Sequence, residues 1–151
     1  MTPSSSSALR IHVNGAEGAP ASADRLRAAV LHVLRAESIE EGEFSFTLLG
    51  DRDMTDLNRS YLRCEGPTDV IAFSLGGDEG LLGDVYLGRE RVRIQAEEHG
   101  VSAEEELLRL AIHGTLHLVG WDHPEGPERT ESPMFQRQEE LLAGLLRGEH
   151  G

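Results

Sequence analysis

The chain predicts an α+β fold: a four-stranded mixed sheet with helices packed mainly on one side. Three observations carry that expectation. Segments with the two-residue alternation of strands and segments with the helical stripe follow one another as strand, helix, strand, helix, two strands and three helices. The 151 residues suit one domain with its own core, expected over residues 9–148 after a short disordered lead-in at 1–8. The composition, 38% hydrophobic but only 5% aromatic, points to a core filled by aliphatic side chains.

Each element has a local reason. "ALRIHVNG" alternates as a first strand, Ile11 and Val13 on one face and His12 on the other. "SADRLRAAVLHVLRAE" is an amphipathic helix with Leu26, Val30, Val33 and Leu34 in one stripe, and Ser22 or Asp24 as its cap. "EFSFTLLGD" directs Phe44, Phe46 and Leu48 the same way, as a second strand. "DRDMTDLNRSYLR" reads as a helix with Met54, Leu57 and Tyr61 on a shared face, broken by Gly66 and Pro67. "VIAFSL" reads as a buried third strand and "GLLGDVYLG" as a fourth, after a turn through "GGDEG". "RERVRIQAEEHG" is a short helix stopped by Gly100. "SAEEELLRLAIHGTLHLVG" opens on a capping box, Ser102 with Glu105. "ESPMFQRQEELLAGLLRG" closes the chain as an amphipathic helix with Phe135, Leu141, Leu142 and Leu145 among its apolar positions. There is no internal repeat.

The formal charge of −13 argues against wholesale coating of nucleic acid, though not against a local basic cleft. All 14 basic residues are arginine, which fits a compositional bias of an Ala-, Gly-, Leu- and Arg-rich chain. Arg89 and Arg93, with Arg91 nearby, read as a phosphate-binding strip or, by a small margin, as partners of surface glutamates. Cys64 is the single cysteine, so no internal disulfide forms. No apolar run reaches the length of a membrane span, and the first residues lack the pattern of a secretory signal. A cytoplasmic protein without membrane or organic cofactor is the expectation.

The chemistry concentrates in "AIHGTLHLVGWDH". His113 and His117 stand four apart, so they share one helix face and can hold one divalent ion between them. Gly120 can end the helix in a left-handed conformation, and His123 then folds back towards the same ion. A metal site on a helix of the C-terminal half is therefore expected, with His113, His117 and His123 as ligands of one divalent ion. The bland alternative is a set of hydrogen-bonded core histidines. His12, His32, His99 and His150 have no such partners and read as ordinary surface or core residues. Three nitrogen ligands leave tetrahedral zinc an open position, as catalytic sites do. A closed site results if Cys64 or Asp122 fills that position, but Asp122 reads better as an acceptor for a ligand histidine N–H. Cys64 as a fourth ligand is disfavoured by its spacing. In H-E-x-x-H proteases a glutamate base follows the first histidine, and here that position is Gly114.

"HGTLHLVGWDH" resembles the H-G-x-L-H-L-x-G-[YW]-D-H motif of the YbeY family, bacterial rRNA maturation factors described as single-strand-directed endoribonucleases. "LNRSYLRCEGPTDVIAFSL" is similar to the family's N-x-x-[YF]…P-T-[DN]-V segment, "GLLGDVYLGRERVRIQAEEHG" to its L-G-D-[IV] strand and following helix, and "MFQRQEELLAGL" to its closing helix. The resemblance spans about two thirds of the chain. It implies a mixed four-stranded sheet, zinc on His113, His117 and His123, and ribosomal RNA as substrate. It also implies a role at the 3′ end of small-subunit rRNA and in ribosome quality control. The family's usual arginine directly after the tyrosine is replaced here by Leu62. Arg63, one step along, or Arg59, one helical turn earlier, is then the candidate catalytic cation beside His117; both also read as solvated helix arginines. Thr68 and Asp69 either line the cleft beside the metal or, in the case of Thr68, cap the turn left by Pro67. Ribosomal RNA and the ribosome or its proteins are the expected partners. The rival readings are a zinc hydrolase of another substrate, such as a peptide, and a non-enzymatic ribosome-assembly protein with structural zinc.

Overall fold

A computed structural model of the protein describes residues 9–62, 70–74, 81–120 and 133–150. The elements run β1 (Leu9–Asn14), α1 (Ala23–Ala36), β2 (Gly42–Leu49), α2 (Asp51–Leu62), β3 (Val70–Ser74), β4 (Leu81–Gly88), α3 (Arg89–His99), α4 (Ala103–Leu118) and α5 (Pro133–His150). The order is the one the periodicities predict, and the sheet is four-stranded and mixed. Its strands lie β1-β2-β4-β3. β1, β2 and β4 are parallel, with Ile11 opposite Phe44 and Phe46 opposite Val85. Parallel neighbours need a crossover, and α1 provides it between β1 and β2. β3 pairs antiparallel with β4, Ala72 opposite Val85, and forms one edge.

One sheet face carries the core. Phe44, Phe46 and Leu48 of β2 meet Val85 and Leu87 of β4, the α1 stripe and the body of α4, all in one buried cluster. α4 is buried around most of its circumference, from Glu106 to Leu118, because α1, α3, α5, β3 and β4 all pack against it. A helix apolar on nearly all sides belongs inside a layer, and this one does. Towards the other face, at the strands' outer pair, His12 meets Glu43 at 2.8 Å and Asn14 reaches Thr47 at 3.5 Å. Polar side chains there match a layer covered mainly on one side.

The helix ends follow the chain's own signals. Ser22, not Asp24, caps α1 by accepting from the Arg25 N–H at 3.2 Å, while Asp24 takes the Arg27 guanidinium at 2.9 Å. Ser102 caps α4 by accepting from the Glu105 N–H at 3.0 Å. The Glu105 carboxylate itself turns to Arg109. Gly100 stops α3 at φ 68, left-handed backbone in which Gly100 and Val101 N–H groups close on Glu97 and Ala96 carbonyls.

Two expectations of burial need correction. β3 is not a wholly buried strand: Ile71 is buried, whereas Val70, Ala72 and Phe73 are only half covered. An edge strand has a neighbour on one side alone. On α5 the inward stripe is Met134, Gln138, Leu141, Leu142 and Leu145, and Phe135 is half-exposed one position out of phase. On α2, Met54 is buried and Leu57 half-buried. No helix among the described residues is long and apolar enough to cross a membrane.

Candidate metal centre

α4 presents His113 and His117 one turn apart, both half-buried, with ring centroids 4.8 Å apart and planes inclined by 78°. The helix then stops as its sequence requires. Val119 N–H closes on the Thr115 carbonyl, Gly120 N–H closes on that of His117 at 3.1 Å, and Gly120 takes φ 107. Two glycines set the seat of this helix end. A Cβ on Gly114 would lie 2.8 Å from Val85 Cγ1 and 3.3 Å from Val70 Cγ2. One on Gly83 would lie 2.6 Å from Leu118 Cδ2. The backbone of α4 is therefore pressed onto the sheet directly beside the histidines. The position of a protease-type glutamate base faces β4 and has no room for a side chain.

The far side of His113 is built by α5. His113 Nδ1 lies 2.7 Å from Gln138 Oε1, and the Gln138 side chain is buried. Gln138 Nε2 donates to Glu139 Oε2 at 3.0 Å. Arg109 donates to both oxygens of Glu139, Nε at 2.8 Å and a terminal nitrogen at 3.1 Å. It also bonds Glu106 at 2.7 Å and Glu105 at 3.1 Å. Glu106 is 1% exposed, and His99 stands 3.6 Å from it. Burial works against the Arg109 charge, but hydrogen bonds to Glu139 and Glu106 and their attraction outweigh it and raise its proton affinity further. The arginine is a fixed cation at every accessible pH.

The donor set suits zinc. Two imidazoles on successive helical turns would offer it nitrogen, which zinc takes readily. Among the described residues no cluster of three or more ligating side chains forms. The third predicted ligand, His123, lies outside the described residues, and so do Asp122, Arg63, Thr68, Asp69 and Cys64. Arg59 is described: it is exposed in the last turn of α2 and makes no hydrogen bond or ion pair among the described residues. Among the described residues Arg89 forms no salt bridge. It donates to the Gly15 carbonyl at 2.6 Å and ties the end of β1 to the start of α3. Arg93 is exposed.

Gln138, Glu139 and Arg109 are neighbours of the histidine pair that motif reading misses. Their signal is faint but present. Gln138 is a polar residue in phase with Met134, Leu141 and Leu145, on a stripe that is otherwise apolar.

Fold and site together define a class: a small α+β layer whose buried central helix offers a histidine pair beside the sheet. Known proteins narrow it. A family model described as "Endoribonuclease YbeY" matches residues 13–146. The Endoribonuclease YbeY of Desulfitobacterium hafniense is 43% identical over 128 residues, covering 76% of this chain and 79% of that protein. That of Chloroflexus aurantiacus is 35% identical over 146 residues, covering 89% of this chain and 94% of the relative. The solution structure of TM1509 from Thermotoga maritima superimposes with a TM-score of 0.63 at 25% identity, covering 94% of this chain and 91% of that one. The chain belongs to the YbeY family of endoribonucleases.

Proposed function

We propose that the protein is a zinc-dependent, single-strand-specific endoribonuclease of ribosomal RNA maturation, acting at the 3′ end of small-subunit rRNA and in ribosome quality control. The observation that carries the reading is the His113–His117 pair on a helix seated against the sheet, in a chain of endoribonuclease relatives. The working unit is a single domain over residues 9–148, following the lead-in at 1–8. Its place of action is the cytoplasm, with rRNA and the ribosome or its proteins as partners and no organic cofactor.

His113, His117 and His123 would hold one zinc ion per chain. Zinc bound there supplies a Lewis acid for a phosphoryl oxygen and lowers the pKa of water. Arg63, or Arg59 from one turn earlier, offsets the charge that develops on the phosphate. The exposure of Arg59 leaves it accessible to a phosphate. Asp122 would accept from a ligand histidine and orient it, and Thr68 and Asp69 would line the cleft unless Thr68 caps the turn left by Pro67. The filled position at Gly114 speaks against the protease alternative, because the glutamate of that chemistry has no space.

The test is cleavage of single-stranded rRNA fragments by wild-type protein and a His117→Ala variant prepared in parallel. Loss of cleavage in a folded variant is expected. Equal cleavage by both, or cleavage by neither, defeats the proposal for the isolated protein. A cyclic phosphate on the product identifies the ribose 2′-OH as the attacking group.

A further inference from the structure

Arginine has only donors, and an ionised carboxylate has only acceptors. Arg109 therefore fixes the direction of the hydrogen bonds that follow from it. Its guanidinium occupies both Glu139 oxygens. The Gln138 amide can meet that carboxylate only through its NH2 group, as the 3.0 Å contact to Glu139 Oε2 has it. Its carbonyl oxygen is then turned onto His113 Nδ1 at 2.7 Å. An amide oxygen accepts, so the proton of the neutral ring sits on Nδ1. The in-plane lone pair is left on Nε2.

The geometry points to Gln138 as a positioning residue for His113: oriented by Glu139 and Arg109, it holds the ring in the Nδ1–H tautomer and presents Nε2 as the ligating atom. The use of Nε2 rests on the zinc reading above, whereas the tautomer belongs to the metal-free protein as well. Metal-binding histidines commonly lean on a carboxylate or backbone carbonyl. Here a neutral amide takes that place, and the charge sits one residue along on Glu139, already matched by Arg109. Gln138 is 5% exposed, so water competes little for either end of its amide. The bond also spans two helices. It fixes the ring against α5 as well as α4, which limits rotation about its side-chain torsions.

Two readouts test the assignment on the full chain. The first is the protonated ring nitrogen of His113 in metal-free protein, from long-range proton–nitrogen correlation. The second is zinc affinity by competition with a chromophoric chelator. Wild type should carry the proton on Nδ1. Gln138→Leu should mix the tautomers and weaken zinc binding by roughly 10- to 100-fold. A wild-type proton on Nε2 overturns the assignment, and so does a Gln138→Leu variant with unchanged tautomer and affinity, whatever its melting temperature. If Gln138→Leu does not fold, the wild-type tautomer decides alone. If wild type binds no zinc, the metal reading falls, while the tautomer comparison still decides the role of Gln138.

Discussion

Gly114→Ala adds one methyl group where α4 meets the sheet, and its effect can be worked from the contact distances. The new Cβ would lie 2.8 Å from Val85 Cγ1, against the 3.4 Å at which ordinary contact begins. Val85 is completely buried and branched at Cβ, so its side chain is stiff and hemmed in on all sides. The helix must lift by several tenths of an ångström instead. Overpacking of this kind costs about 1–3 kcal/mol. Replacing a helical glycine by alanine returns up to about 1 kcal/mol. The net loss is about 1 kcal/mol, a fall in Tm of about 2–4 °C for a domain of this size. Thermal and urea unfolding of wild type, Gly114→Ala, Val85→Ala and the double variant give the coupling directly. The double variant should be more stable than the two single losses predict, by about 1 kcal/mol, since the methyl then occupies the space that valine leaves. Additive losses, or a Gly114→Ala variant more stable than wild type, would refute the close packing of α4 on β4.

Other perturbations reach other parts of the molecule. Ser102→Ala removes the side-chain acceptor at the start of α4 and should cost about 1 kcal/mol in urea unfolding, with RNA cleavage per folded molecule unchanged. Arg109→Met keeps the aliphatic stem but strands the Glu106 and Glu139 carboxylates. A loss of about 3–5 kcal/mol is expected, and a loss under about 1 kcal/mol would show that the cluster contributes little. Zinc affinity should fall as pH drops towards and below about 6, because ligand imidazoles must be neutral and free imidazole takes a proton there. Equilibrium dialysis across that range checks the sign; unchanged retention at low pH in the presence of chelator would count against histidine ligands.

The regular elements were legible because their signals are local. The stripe at Leu26, Val30, Val33 and Leu34, the alternation at Phe44, Phe46 and Leu48, the serine before α4 and the glycine after α3 each act within a turn or two. The histidine pair was legible for the same reason, since four residues of helix bring the two rings together. What local pattern cannot carry is the partner across the fold. Gln138 stands 25 residues from His113, and nothing in the spacing selects it. Arg89 looks like a surface cation in the sequence, and only the sheet order brings it to the Gly15 carbonyl, 74 residues away. Phe135 and Met134 are adjacent apolar residues, and the phase of α5 against α4 decides which one turns inward.

α5 is stitched to α1 as well as to α4: His32 contacts the Leu141 carbonyl at 3.0 Å, and Arg137 binds Glu37 at 2.8 Å, across 109 and 100 residues of intervening sequence. Contacts so distant along the chain form only after long loops have closed, and a chain made from its N-terminus grows towards them. Gln138 comes with α5 alone, so the His113–His117 pair lacks its partner from across the fold until that helix docks. A chain shortened before α5 would keep both rings and lose the side chain set against His113 Nδ1.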